Sequence, residues 1–70
     1  MTEQEFLNKL GKTIAKMRKA KGFSQNELCA IMNMEKSNLS AIENGRQNAS
    51  ALTLKRIADA MQVEVKLFFN

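Results

Sequence analysis

Apolar residues recur at three- and four-residue steps along most of this chain, which is the spacing of a helix with one buried face. Gly22, Asn33 and Gly45 interrupt the pattern, and these residue types accept the left-handed backbone conformation that ends many helices. The pattern therefore predicts four helices. The residues expected to face the core are Phe6, Leu7, Leu10, Ile14, Met17, Leu28, Ile31, Met32, Leu39, Ile42, Leu54, Ile57, Ala58 and Met61.

Polar residues mark where three of these helices begin. Thr2 with Glu5, and Ser24 with Glu27, have the spacing of a capping box, in which each side chain bonds to the backbone amide of the other residue. Ser50 precedes the fourth apolar set as a simple N-cap. We therefore expect helices to begin near residues 2, 24, 36 and 50, and the first three to end near residues 22, 32 and 42.

The last residues follow a different pattern. Apolar side chains occupy alternate positions from 63 to 69, and this period of two predicts a β-strand. A single strand leaves its backbone groups unpaired, so we expect the same strand of a second copy to pair with it antiparallel in a two-fold dimer. The alternative is a fifth short helix packed on its own protomer. The dimerisation residues expected from the strand are Val63, Val65, Leu67, Phe68 and Phe69.

The composition limits the chemistry that the chain can perform. Its 70 residues are expected to form one domain, and they include no histidine, tyrosine or tryptophan and one cysteine. Without these groups general-base catalysis and metal binding are poorly supported, so we expect no enzymatic activity, no metal and no cofactor. No stretch approaches the about 20 apolar residues of a membrane span, so a cytoplasmic location is expected.

Positive charge is concentrated near the N-terminus. The net charge is +4, and one stretch contains no acidic residue at all. This stretch favours an anionic partner, although a solvated basic helix face would look the same. Its charged residues are Lys9, Lys12, Lys16, Arg18, Lys19 and Lys21.

Two short predicted helices, the second and the third, are joined by a tight turn at Asn33 and Met34. Such short helices must cross steeply, and Cys29 supplies the small side chain that the crossing requires. The sequences SQNELC from residue 24 and SNLSAIENGR from residue 37 resemble the Cro and phage-repressor type of helix-turn-helix, the XRE family. The resemblance extends over residues 10–63. It implies a mainly α, lambda-repressor-like domain of four helices, with its motif at about 24–43 and the predicted strand added at the C-terminus.

Four positions depart from the family pattern. Cys29 stands where the family usually has alanine, and Asn33 where it has glycine; both keep the small size or the backbone freedom needed there. Ala49 replaces a proline, which leaves the start of the fourth helix less rigid. Glu35 replaces a serine or threonine N-cap, and its carboxylate is a poor cap that would lie near DNA phosphates.

In this family the third helix enters the major groove of double-stranded DNA, with its N-terminal residues at the base edges. The resemblance implies base contacts by Lys36, Ser37, Asn38, Ser40 and Ala41. It implies phosphate contacts by Gln25, Asn44, Arg46 and Arg18. Arg18 is also expected to pair with Glu43, which is a structural role.

The resemblance implies a transcriptional repressor that binds an inverted-repeat operator as a homodimer. One alternative is an antitoxin that regulates its own promoter and also binds a toxin protein, because such antitoxins are similar in having a strand after the fourth helix. Another alternative is a protein-interaction module that uses the same fold without touching DNA. The basic first helix and the polar third helix argue against this last alternative.

Overall fold

The computed structural model describes residues 1–69, so residue 70 of the predicted domain lies outside the described part. Within that part, the predicted mainly α fold is confirmed. The elements are α1 (Glu3–Ala20), α2 (Gln25–Met32), α3 (Lys36–Glu43), α4 (Ala51–Met61) and a 3₁₀ helix (Val65–Phe69). Helix α1 packs on α3, and α2 packs on both α3 and α4. The 3₁₀ helix closes the fold against α1 and α4.

The helices begin at the predicted caps. The amide of Thr2 donates to Glu5 Oε1 at 2.8 Å, and the amide of Ser24 donates to Glu27 Oε1 at the same distance. These bonds from the backbone lower the pKa of both carboxyl groups. Ser50 Oγ accepts from the amide of Thr53, as expected for an N-cap. The starts of α1, α2 and α4 therefore follow from local hydrogen bonding.

The core is assembled from all four helices. Each contributes one side chain with no exposed surface: Ile14, Leu28, Leu39 and Ile57. All four were predicted to face inward. Burial of such a side chain stabilises the fold by about 1.5–3 kcal/mol.

Two residues predicted to face the core are exposed instead. Ile31 is 58% exposed because α2 packs through Leu28, Cys29 and Met32, and residue 31 lies to one side of that face. Phe6 is 46% exposed and stacks on Phe69 of the 3₁₀ helix, with ring centroids 6.3 Å apart. Both predictions were wrong because a three- or four-residue step does not fix the width of the buried face.

The predicted C-terminal strand is also wrong. Gln62 ends α4 in a left-handed conformation, and the chain then winds into the 3₁₀ helix, where the amide of Leu67 donates to Glu64 O at 3.1 Å. Phe68 is 2% exposed, within the core of its own protomer, and Val65 packs against that core. These two residues lie three apart, which is one turn of a 3₁₀ helix. The alternating pattern was misleading because burying Phe68 outweighs keeping residues 63, 65, 67 and 69 on one face.

Three of the five dimerisation residues predicted from the strand pack on their own protomer instead. Phe68 is buried, and Val63 and Val65 are half-buried against their own core. Phe69 stacks on Phe6 and is 51% exposed. Leu67 is 38% exposed. The backbone edge that the predicted strand pairing required is not present in residues 63–69.

Helix α1 approaches the end of α3 closely at Gly11. A Cβ atom at this position would overlap the backbone carbonyl oxygens of Ile42 and Glu43, neither of which can move without displacing the end of α3. Gly11 is buried in the middle of α1, where glycine disfavours the helix. The close approach is the physical reason for a glycine here.

We predict that Gly11→Ala destabilises the protein even though alanine favours a helix by about 1 kcal/mol. Overpacking typically costs about 1–3 kcal/mol and occasionally more, and a clash with two backbone oxygens belongs at the upper end of that range, so the net effect on thermal unfolding is a lower Tm. Lys12→Ala, the exposed neighbour on the same helix, is the control. An unchanged or higher Tm for Gly11→Ala would contradict the close approach.

Candidate nucleic-acid interface

The turn between α2 and α3 fixes how α3 is presented. Asn33 adopts the predicted left-handed conformation, with φ of 54°, and the amide of Met34 donates to Cys29 O at 3.0 Å. Cys29 is 5% exposed where α2 packs on α3. Burial raises the pKa of its thiol, and the nearby Glu43 adds to that effect. The thiol therefore stays protonated and acts as a small apolar group.

A buried ion pair joins α1 to the end of α3. Arg18 Nε donates to Glu43 Oε2 at 2.7 Å, and Arg18 Nη2 donates to Glu43 Oε1 at 3.0 Å. The two side chains are 8% and 6% exposed. This is the ion pair expected from the family resemblance. Its bidentate geometry fixes both the position and the angle of the guanidinium relative to the carboxylate.

Two further hydrogen bonds extend this pair into a network. Arg18 Nη1 donates to Phe23 O at 2.8 Å, in the turn before α2, and Gln25 Nε2 donates to Glu43 Oε1 at 2.9 Å, from the first turn of α2. The network therefore links α1, α2 and α3. The hydrogen bonds to Glu43 raise the pKa of the Arg18 guanidinium. No buried side-chain nitrogen or oxygen within residues 1–69 lacks a partner, so the network is fully satisfied.

The exposed side of α3 is polar at its N-terminal end. Lys36, Ser37 and Asn38 are exposed, and Ser40 and Ala41 are partly exposed on the next turn. Glu35 occupies the N-cap position without a side-chain hydrogen bond to the helix, as its chemistry predicts. Opposite these residues, Leu39 and Ile42 are buried. The residues expected to contact bases thus share one accessible surface.

The residues expected to contact phosphates differ in availability. Arg46 is exposed after α3, and Asn44 is exposed with its Nδ2 donating to Ser40 O at 2.9 Å. Gln25 uses its side chain to hold Glu43, so its backbone amide at the start of α2 is the group best placed for an anion. Arg18 is buried and commits three donors to the network, which favours its structural role over a phosphate contact.

Three lysines of α1 share a cleft with these residues. Lys12, Lys16 and Lys19 line it from one side, and Gln25 and Asn44 line it from the other. The motif that indicates the helix-turn-helix gives these lysines no individual role. Their spacing of four and three residues places them on one helix face, and that spacing was the available signal. Only the three-dimensional structure shows that this face borders α2 and α3.

The segment after α3 is held by the N-terminal turn of α1. Gln4 Nε2 donates to Gly45 O at 2.8 Å and to Asn8 Oδ1 at 2.9 Å. Gly45 has a φ of 74°, so the chain turns sharply just before Arg46. The position of Arg46 relative to α3 is therefore fixed by contacts as well as by the turn.

The sequence that forms this site matches a known family. Residues 14–68 match the family HTH_3, described as helix-turn-helix. The chain belongs to the helix-turn-helix family. The XRE-type membership expected from the motif sequences is thereby confirmed.

Similar proteins support this assignment. The chain is 33% identical over 60 residues to the competence pilus inhibition repressor of Acinetobacter baylyi, covering 86% of this chain and 54% of that protein. It is 39% identical over 59 residues to the ImmF control region 10 kDa protein of Bacillus phage phi105, covering 84% of this chain and 66% of that protein. The chain thus spans about half of the first relative and about two thirds of the second.

A solved helix-turn-helix structure has the same fold over nearly the whole chain. The restriction-modification controller protein C.AhdI from Aeromonas hydrophila superimposes with a TM-score of 0.89 at 29% identity, covering 93% of this chain and 98% of that protein.

Within residues 1–69, no helix is long and apolar enough to cross a membrane. The same residues bring together no set of three potential metal-binding side chains.

We predict that Glu43→Gln strongly destabilises this helix-turn-helix domain. The change leaves the buried Arg18 guanidinium without its countercharge, which costs about 3–5 kcal/mol in comparable buried pairs. Asp59→Asn is the matched control, because it removes the carboxylate of the exposed pair with Lys55, and such pairs contribute about 0.2–1 kcal/mol. Thermal or urea unfolding of both variants measures the difference. Equal losses would contradict a buried structural role for Glu43.

Proposed function

We propose that this protein binds specific sequences of double-stranded DNA and represses transcription. The observation that carries the proposal is the exposed polar surface at the N-terminal end of α3, formed by Lys36, Ser37 and Asn38. The ion-pair network fixes the opposite end of the same helix to α1 and α2. A rigidly held helix with a polar, accessible end is what insertion into the major groove requires.

Base reading is assigned to the exposed surface of α3. Lys36 is suited to donate to the O6 or N7 atoms of guanine, and Ser37 bonds to several base edges. The methyl group of Ala41 suits contact with a thymine methyl group. Asn38 and Ser40 lie beside these residues and complete the polar surface.

Phosphate contacts are assigned to groups on both sides of that surface. The backbone amide of Gln25 lies at the start of α2, where the helix dipole favours an anion. Asn44 and Arg46 are exposed just after α3. Arg18 supports these groups by holding Glu43, and we assign it no phosphate. Phosphate contacts of this kind position the protein but do not select the sequence.

The role as a repressor is supported by the relatives. One is named as a repressor, and another as a control-region protein of a phage. We place the protein in the cytoplasm, where it would meet DNA. The antitoxin alternative depended on a C-terminal strand, and the 3₁₀ helix at Val65–Phe69 removes that support.

We further propose that the protein binds an inverted repeat as a homodimer. Leu67 and Phe69 leave apolar surface exposed on the 3₁₀ helix, and Phe6 of α1 extends it through its stacking on Phe69. Contact between these surfaces of two copies would replace the strand pairing expected from the sequence. A two-fold dimer presents two α3 helices to half-sites about 34 Å apart, or a small multiple of that distance.

The specificity prediction compares two variants on DNA selected from a random pool. Lys36→Ala should weaken binding to the selected sequence by about 1–3 kcal/mol and relax the preference at one base pair. Arg46→Ala should weaken binding to selected and random DNA by the same factor, because phosphates are alike in every sequence. Fluorescence anisotropy titrations measure both. Recovery of no preferred sequence would refute the proposed function, and equal behaviour of the two variants would refute the role of Lys36.

The dimer prediction concerns Leu67. Leu67→Ser should shift the protein from dimer to monomer in sedimentation experiments and weaken binding to an inverted repeat, while leaving the fold intact. Ile31→Ser is the control, because Ile31 is an exposed apolar residue of α2. A wild-type protein that stays monomeric at high concentration would contradict the dimer, and so would a dimer insensitive to Leu67→Ser.

A further inference from the structure

We infer that Lys12, Lys16 and Lys19 form a second DNA-backbone contact surface on α1, separate from the helix-turn-helix contacts. We call these three residues the α1 lysine row. The inference rests on the proposed DNA binding and extends it to residues outside α2, α3 and the segment that follows them. The partner is the sugar–phosphate backbone of the same duplex, beyond the phosphates contacted through Gln25 and Asn44.

The α1 lysine row lies beside the groups proposed to hold the DNA backbone. The α1 lysine row lines one side of the cleft whose other side carries Gln25 and Asn44. Lys12 also lines an adjoining cleft together with Asn8, Glu43 and Asn44. A DNA strand held by the start of α2 and the end of α3 would therefore run beside these lysines.

The α1 lysine row also carries positive charge that is available to a partner. Two acids border the row. The carboxylate of Glu43 is already neutralised by Arg18 and bonded by Gln25. Glu5 shares a cleft with Lys12 and Lys16, and its carboxylate accepts a hydrogen bond from the amide of Thr2. Elsewhere on the chain, Lys55 lies 2.6 Å from Asp59 and is compensated locally. The row thus keeps its positive charge, which an anionic backbone would complement.

The length of the row along α1 also suits contact with a DNA strand. Residues 12 and 19 are seven apart, and at about 1.5 Å per residue the row is about 10 Å long. One DNA strand carries a phosphate about every 3.4 Å along the duplex axis, so a row of this length is long enough to reach more than one phosphate. Long flexible lysine side chains adapt to such an array without requiring fixed angles.

The row has a competing structural role that the test must separate. Lys12 lies near the C-terminal end of α3, where a positive charge is favourable for the helix dipole. If this were its only function, removing it would lower the Tm without changing the salt dependence of DNA binding. Contact with DNA predicts the opposite combination.

The test uses the full chain and the selected operator DNA. Lys12→Gln/Lys16→Gln should lower the magnitude of the slope of log K against log salt by about 1.8, since each lost phosphate contact contributes about 0.9. Affinity for selected and random DNA should fall by the same factor, with an unchanged Tm. Adding Lys19→Gln should lower the slope further. Lys12→Arg/Lys16→Arg should keep wild-type binding, because the charge remains.

The matched control is Lys21→Gln/Lys55→Gln, which removes the same net charge from outside the cleft. It should leave the slope nearly unchanged. If the row variant behaves like this control while Lys36→Ala and Arg46→Ala still lose binding, the inference is wrong and the proposed function stands. A loss of slope that the arginine variant does not restore also overturns the inference. A wild-type protein with no salt-dependent binding refutes the proposed function itself.

Discussion

The buried pair between Arg18 and Glu43 is the interaction on which the arrangement of α1, α2 and α3 depends. The pair is bidentate and buried, and hydrogen bonds extend it to the α1–α2 turn and to Gln25. A buried pair of this kind contributes less to net stability than its bonds suggest, because both charges lose their hydration. Its effect is to fix geometry: α3 cannot rotate or slide relative to α1 and α2 without breaking the network.

Packing reinforces the same constraint from the other side. Gly11 lets the backbone of α1 approach the last residues of α3, and Gln4 holds the carbonyl group of Gly45 beyond them. The end of α3 is thus held by an ion pair, a close backbone approach and a loop contact. The polar start of α3 is left exposed and unobstructed. The eight residues of α3 are thus divided into a fixed end and an accessible end, as the proposed reading of DNA bases requires.

The C-terminal segment completes a core that four helices alone would leave open. Phe68 enters that core, and Leu67 and Phe69 remain accessible on the opposite side of the 3₁₀ helix. The segment therefore both closes the monomer and supplies the apolar surface on which the proposed dimer rests. The alternating pattern suggested a strand because both the residues that pack on the core and those that stay exposed are apolar. Seven residues are too few to distinguish the two-residue period of a strand from the three-residue period of a 3₁₀ helix.

Local signals in the sequence were enough to predict the four helices and the ends of the first three, because capping boxes, left-handed Asn33 and the glycine stops act within a few residues. It also determined the family, through the motif around α2 and α3, and with it the pairing of Arg18 with Glu43. Features that depend on neighbours distant in the sequence became visible only in the folded protein. It buried Phe68, exposed Ile31, turned the Gln25 side chain toward Glu43 and placed the α1 lysine row beside the start of α2. Local rules fix backbone conformation within a turn, whereas burial and partners depend on which helices meet.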